Sequence, residues 1–434
     1  MLIRIGEVLR VLWGKIKKSE LTRDTLWMLL GHGAQVPIRA VYFILIARSL
    51  GVEGYGAFIG VTALVGVLAP FASMGSGNIL IKNVARDGSA FGRYWGRTIV
   101  LTCASGAILS VLTSALSTFI LPPTIPFLLV LSVAVADLLF LSLLNVSAQA
   151  FQGFQRLTMT SFLLVLPNTI RLLVLIALIA VKKPTPLDLG YVYLVSTGFA
   201  FLVSVYLVSR ELGKPVYGGK ILDGEVREGL YFSVALCSHS IFNDIDKTML
   251  TRLATLQAAG IYAAAYRLID VAFIPVRSLI SASYARFFKS GVDGVRGTLG
   301  LVATLLPYAA AYGLAASLLL FVSAPLLPLV FGRDFAEATH ALRWLALLPL
   351  LKVLHYLPAN ALTGAGFQGI RTACLVATAL FNVALNLWLV PRYSWRGSAW
   401  ASLASDGIYA VVIWVAVLWK LRAGAPAVLA NQEK

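Results

Sequence analysis

Twelve apolar runs, each long enough to cross a bilayer as a helix, follow one another between residues 25 and 420. They lie at about 25–47, 54–78, 98–120, 125–148, 158–180, 188–209, 229–251, 258–283, 298–322, 341–360, 371–390 and 398–420. A spanning helix needs roughly 20 mainly apolar residues. Outer-membrane strands would need only about 10, alternating in polarity. These runs are too long and too continuous for strands, so the expected fold is an all-α polytopic membrane protein. The composition agrees. The hydrophobic set is 59% and the charged set 13% of the 434 residues, against about 45–50% and about 25% in a soluble domain. Gly and Ala are frequent in the runs, as between Gly54 and Gly77, and small residues let membrane helices pack closely.

The charge that remains is mostly positive, +17, and its placement sets orientation. With the N-terminus inside, 22 of the 36 Lys and Arg residues fall in cytoplasmic segments and 7 outside. Cytoplasmic loops carry the basic excess, and an even number of spans returns both termini to that side. Basic residues set between apolar runs are topology signals, not a nucleic-acid footprint. Residues 1–24 alternate apolar and basic side chains and lack a signal-peptide core. They read as an amphipathic helix on an anionic leaflet. Cys103, Cys237 and Cys374 have no metal-ligand spacing, which makes them inert thiols.

The longest hydrophilic break, 210–228, divides the chain into an N-lobe at 25–209 and a C-lobe at 229–420, followed by a tail at 421–434. The halves echo each other. Gly54-Tyr55-Gly56-Ala57-Phe58 and Gly260-Ile261-Tyr262-Ala263-Ala264 follow the first span of each half. Ala150-Phe151-Gln152-Gly153-Phe154 and Gly366-Phe367-Gln368-Gly369-Ile370 follow the fourth. Six spans per half is even, so the repeats are parallel, an arrangement suited to alternating access.

Charges inside spans usually face a bundle interior or a water-filled cavity. Here they are Arg39, Asp137 and Arg171 in the first half. The second half carries Asp244, Asp246, Lys247, Arg267, Asp270, Arg277, Arg343, Lys352 and Asp406. The basic members suit a cavity that attracts a phosphate or diphosphate headgroup. A structural reading stands beside this one. Asp244, Asp246 and Lys247 lie within one turn and can neutralise each other, and Arg267 and Asp270 are spaced to pair. Asp137, Asp244, Asp246, Asp270 and Asp406 are candidate counter-ions or proton or cation sites. Among the polar residues, Asn243 lies beside the charged cluster and suits a sugar hydroxyl. His32 and His239 lack a metal-ligand neighbour, so no metal site is expected.

No Walker loop or H-E-x-x-H motif is present, and no catalytic set emerges. The segments ARSLGVEGYGAF at 47–58, FNDIDK at 242–247, GIYAAAYRL at 260–268 and NALTGAG at 360–366 carry a family likeness, as do Asn382, Asn386 and Pro391 and GSAWA at 397–401. They resemble the polysaccharide transporter branch of the multidrug/oligosaccharidyl-lipid/polysaccharide exporter superfamily, the O-antigen and lipid-linked oligosaccharide flippases often called Wzx. The resemblance implies a V-shaped pair of six-helix lobes in a bacterial or archaeal cytoplasmic membrane. It implies a flippase for a polyprenyl-diphosphate-linked oligosaccharide, working without a cofactor and as a monomer. Polysaccharide polymerase and glycosyltransferases would be its partners. Carried onto this chain, the residues meeting diphosphate or acidic sugars would be Arg39, Arg171, Lys247 and Arg267. The alternatives are a cation-coupled multidrug exporter of the same fold and an integral-membrane glycan polymerase. The short outside loops, the longest at about 323–340, count against the polymerase.

Overall fold

The apolar runs become helices along the whole described chain. A computed structural model describes residues 20–217 and 223–423, and no strand occurs among them. In order the main helices are α1 (Glu20–Ala72), α2 (Ser76–Val84), α3 (Phe91–Ile120), α4 (Phe127–Gly153), α5 (Leu157–Val181) and α6 (Pro186–Glu211). There follow α7 (Asp223–Leu253), α8 (Leu256–Ala272), α9 (Ile274–Ser290), α10 (Gly294–Ser323), α11 (Ala338–Gly364), α12 (Gln368–Tyr393) and α13 (Trp395–Arg422). The expected N-terminal amphipathic helix lies outside the described residues apart from its last turn, as does most of the tail.

Among the described residues, nine helices are long and apolar enough to cross a membrane, or ten if one bent pair is a single span. The chain is therefore a multi-pass membrane protein. The difference from twelve has local causes. The first two expected runs join in α1, which is interrupted only at Gly51, where φ is +69°. That left-handed conformation favours glycine. α7 carries Asp244, Asp246 and Lys247 and is not among the nine. The expected single span at 258–283 is two helices, α8 and α9, bent by 44°. Pro275, in the first turn of α9, lacks the N–H a continuous helix would need there. α7 also begins at Asp223, inside the expected hydrophilic linker.

Local sequence explains several helix ends. Thr185 and Asp188 form a reciprocal capping box at the start of α6, with Pro186 as its first residue. Thr255 Oγ1 accepts the Ala258 amide at 3.0 Å to start α8. The fourth expected span of each half ends in the same way. The Arg156 amide reaches Phe151 O and the Phe367 amide reaches Leu362 O, each past one residue at positive φ. That residue is Gly366 in the second half and Gln155, at φ 59°, in the first. Gln155→Gly is expected to raise thermal stability by about 1 kcal/mol, read as a shifted melting temperature in detergent.

The helices fall into two compact units. The first comprises residues 1–45, 68–118 and 126–234; the second comprises 46–67, 119–125 and 235–434. The core of the first unit gathers Leu80, Phe91, Trp95, Phe151 and Leu163. In the second, Phe273, Val276, Phe287, Val353 and Leu357 form one cluster, and Phe242, Leu362, Tyr409 and Ile413 another. The segment 46–67 packs inside the second unit, although it lies in the first half of the sequence. There the two echoed words meet. A Cβ on Gly56 would lie 1.9 Å from Leu256 O, and one on Gly260 would lie 2.1 Å from Val52 O. Only hydrogen at both positions permits this approach. Arg48 anchors the same segment, donating from Nε to Val330 O at 2.8 Å.

Candidate functional site

Most of the described intramembrane charges gather in one cluster in each unit; Arg343 lies apart, over the Phe321 ring at 5.5 Å. In the first unit, a π-helical stretch, Val135–Leu141, interrupts α4 and carries Asp137. Such stretches occur often at functional sites. Asp137 lies 3.7 Å from Arg171 of α5, and both are buried. Arg171 Nη2 donates to Thr197 Oγ1 at 2.6 Å, and its guanidinium covers the Tyr193 ring at 3.4 Å. The Tyr193 hydroxyl donates to Asp137 Oδ2 at 3.2 Å. Arg171 and Asp137 are thus held by one another and by α6, away from open space. Arg39, on α1 two residues after Pro37, is exposed.

The second unit holds the larger cluster. Lys247 of α7 is buried, with Nζ 2.7 Å from Asp244 Oδ1 and 3.7 Å from Asp246 Oδ1. It also donates to Asn243 O at 2.7 Å and stands over the Tyr266 ring at 4.1 Å. Asp246 accepts from the Tyr262 hydroxyl of α8 and from Ser402 Oγ of α13, the latter at 3.3 Å. Asp244 points outward, its side chain 48% exposed. Arg267 and Arg277 reach Asp270 at 3.8 and 3.3 Å, all three partly exposed.

A second lysine lies behind Asn243. Lys352 of α11 donates to Asn243 Oδ1 at 3.0 Å and lies 3.8 Å from Asp406 Oδ1 of α13. His355, one turn further along α11, places Nε2 2.8 Å from the same Asp406 oxygen. Lys352, His355 and Asp406 are 2%, 2% and 3% exposed. Burying charge is tolerated when each group is paired and hydrogen-bonded, and every acid here has a cationic partner.

The structure therefore brings together Asn243, Asp244, Asp246, Lys247, Arg267, Asp270 and Asp406. It places Arg39, Asp137 and Arg171 in the other unit. Sequence reasoning left Lys352 undecided and passed over His355, Tyr262, Tyr266 and Ser402. The available signal was the i, i+3 spacing of Lys352 and His355 on an otherwise apolar helix. Asn382 and Asn386 join α12 to α13: Asn382 Nδ2 donates to Ser405 Oγ at 3.1 Å, and Asn386 Oδ1 accepts from Ser398 Oγ at 2.8 Å. No group of three His, Cys, Asp or Glu residues able to hold a metal ion occurs among the described residues.

Solved structures share this fold. An inward-facing multidrug resistance MATE family transporter of the MOP superfamily is 13% identical, with 90% of this chain and 95% of that chain covered and a TM-score of 0.77. An outward-facing structure of such a transporter is 15% identical, at 93% and 95% coverage and a TM-score of 0.65. A MOP superfamily transporter from Pyrococcus furiosus, whose binding pocket has a reverse polarity that suggests a different function, gives 15% identity, the same coverage and 0.65. No curated protein matches the sequence. The model of the polysaccharide biosynthesis protein family matches residues 21–290, more than half of the chain. The all-α fold and this match agree with the likeness read in the sequence, and the protein belongs to the polysaccharide biosynthesis protein family.

Proposed function

We propose that the protein is a flippase that carries a polyprenyl-diphosphate-linked oligosaccharide from the cytoplasmic to the outer leaflet of a bacterial or archaeal cytoplasmic membrane. In this reading twelve spans form two six-helix lobes in a V, both termini are cytoplasmic, and the lobes alternate access as a monomer. Partners would be a polysaccharide polymerase and glycosyltransferases. The observation that carries the reading is the pair of buried lysines, Lys247 and Lys352, bracketing Asn243 in a chain of this family. Lysine is a compact donor for phosphate oxygens, and Asn243 suits a sugar hydroxyl. An anion binding there would take over contacts now made by Asp244 and Asp406.

The solved structures of the same fold favour a second reading. They include multidrug resistance transporters, and the carboxylates Asp244, Asp246, Asp270 and Asp406 suit a cation-coupled exporter. Reconstitution into liposomes separates the two. Protein-dependent movement of a labelled polyprenyl-diphosphate oligosaccharide between leaflets supports the flippase. If that lipid stays in place while a drug moves against a proton gradient, the exporter reading wins. In the first case, Arg39→Gln is expected to slow flipping about fivefold, close to 1 kcal/mol of barrier, with membrane insertion intact. An unchanged rate removes Arg39 from the site.

A further inference from the structure

Four cations and four acids of the second unit pair with one another. Lys247, Arg267, Arg277 and Lys352 stand against Asp244, Asp246, Asp270 and Asp406, each within 4.0 Å of an opposite charge. Outside these pairs stand Arg371, which donates to Thr363 Oγ1, and two imidazoles, His239 beside Asn243 Nδ2 at 3.3 Å and His355; of the two, His355 is the one in contact with an acid among the described residues. Its Nδ1 is buried with no hydrogen-bond partner. Its Nε2 competes with Lys352 for a single oxygen, Asp406 Oδ1, at 2.8 Å against 3.8 Å.

The surroundings restrict what else can answer a charge on the ring. From α13 come Asp406 and the Tyr409 ring, and from α7 the Phe242 ring. On α11 itself, Lys352 precedes His355 and Tyr356 stacks on it. His239 of α7 meets Tyr356 edge-on. Tyr266 of α8 faces Lys352 at 5.6 Å. Arg371 of α12 adds a positive field at the ring, and Arg277 of α9 does so at Tyr356. α10 carries one charged residue, Arg296 near its start. Asp406 is thus the only acid in hydrogen-bond contact with His355 among the described residues.

We propose that His355 is a proton switch on an anion site formed by the Lys352 ammonium and Asn243. A proton taken from solvent makes the ring a cation, and Asp406 then answers His355 more than Lys352. The remaining contacts of the ammonium, Asn243 Oδ1 and the face of Tyr266, are neutral. The ammonium gains net attraction for a phosphate oxygen at the Asn243 edge of the cluster. Loss of the proton returns Asp406 to Lys352 and weakens the anion. By linkage, binding the anion draws a proton onto His355 by the same factor. The sign follows: anion affinity rises as pH falls and the His355 ring takes up its proton.

This inference rests on the anionic-substrate reading, and its test separates the two. The probe is a farnesyl-diphosphate-linked monosaccharide, whose diphosphate diester holds a fixed charge over the pH interval tested. Binding to the full-length protein in nanodiscs is measured by calorimetry at about pH 5 and pH 8. Wild type is expected to bind about tenfold tighter at the lower pH. His355→Gln is expected to abolish the difference, and His239→Gln to keep it. Calorimetry in buffers of unlike ionisation enthalpy is expected to show proton uptake by wild type, which decides the matter if His355→Gln does not fold. Binding with no pH dependence or no proton uptake overturns the switch and leaves the flippase reading standing. A pH dependence that persists in His355→Gln, or vanishes in His239→Gln, also overturns the switch. No binding of the probe at any pH, with binding of a lipophilic drug cation instead, overturns both.

Discussion

Arg171→Met is expected to destabilise the protein by about 3–5 kcal/mol, because it leaves Asp137 as a buried carboxylate without its cation. The side chains of both partners are about nine-tenths buried, at 7% and 11% exposure. Tyr193 alone would then face Asp137, through one neutral hydrogen bond of 3.2 Å. Arg171→Met combined with Asp137→Leu is expected to recover most of the loss, since well-packed apolar residues often replace a buried pair without penalty. Thermal unfolding in detergent reads both variants. Native stability with lost transport in Arg171→Met would give this residue the role of a substrate ligand instead.

The second large effect is on transport. Lys247→Met paired with Asp246→Asn removes one buried charge of each sign, so the balance of the cluster is kept. Flipping of the diphosphate lipid in liposomes is expected to fall about tenfold or more, at least ~1.4 kcal/mol of barrier, with little change in melting temperature. The remaining Asp244 is half-exposed and stays solvated, and an amide oxygen at position 246 still accepts from Tyr262 and Ser402. Unchanged flipping would make the pair a structural brace and move the anion site elsewhere.

Much of the helical layout follows from hydrophobic run length alone. α3, α5, α6, α12 and α13 contain the runs that announce them, because in a bilayer nearly every backbone polar group must be satisfied within its own helix. The charged residues of α7 and α8 were equally legible, since a charge in an apolar run stands out whatever it touches. Their partners were not. His355 and Asp406 are 51 residues apart, and Tyr262 and Ser402 are 140 apart. No periodicity within a helix encodes which neighbour it meets. The bend after Ala272 was marked by Pro275 but fell inside a run that passed as one span. The assignment of 46–67 to the second unit depends on Gly56 and Gly260, whose spacing says nothing of their contact.

That assignment has a practical consequence for dissecting the chain. A cut in the break near residue 220 looks natural, yet a fragment beginning at Ala235 would lack a helix that belongs to its own unit. The backbone groove at Leu256 and Gly260, shaped for Gly56 and Val52, would be left open. The phenyl ring of Phe335 would lose Tyr55, 5.8 Å away. Expressed alone, such a fragment should aggregate or be degraded. Supplying residues 46–67 on a co-expressed N-terminal fragment should rescue it, so the two genetic halves of this protein are obliged to fold in each other's presence.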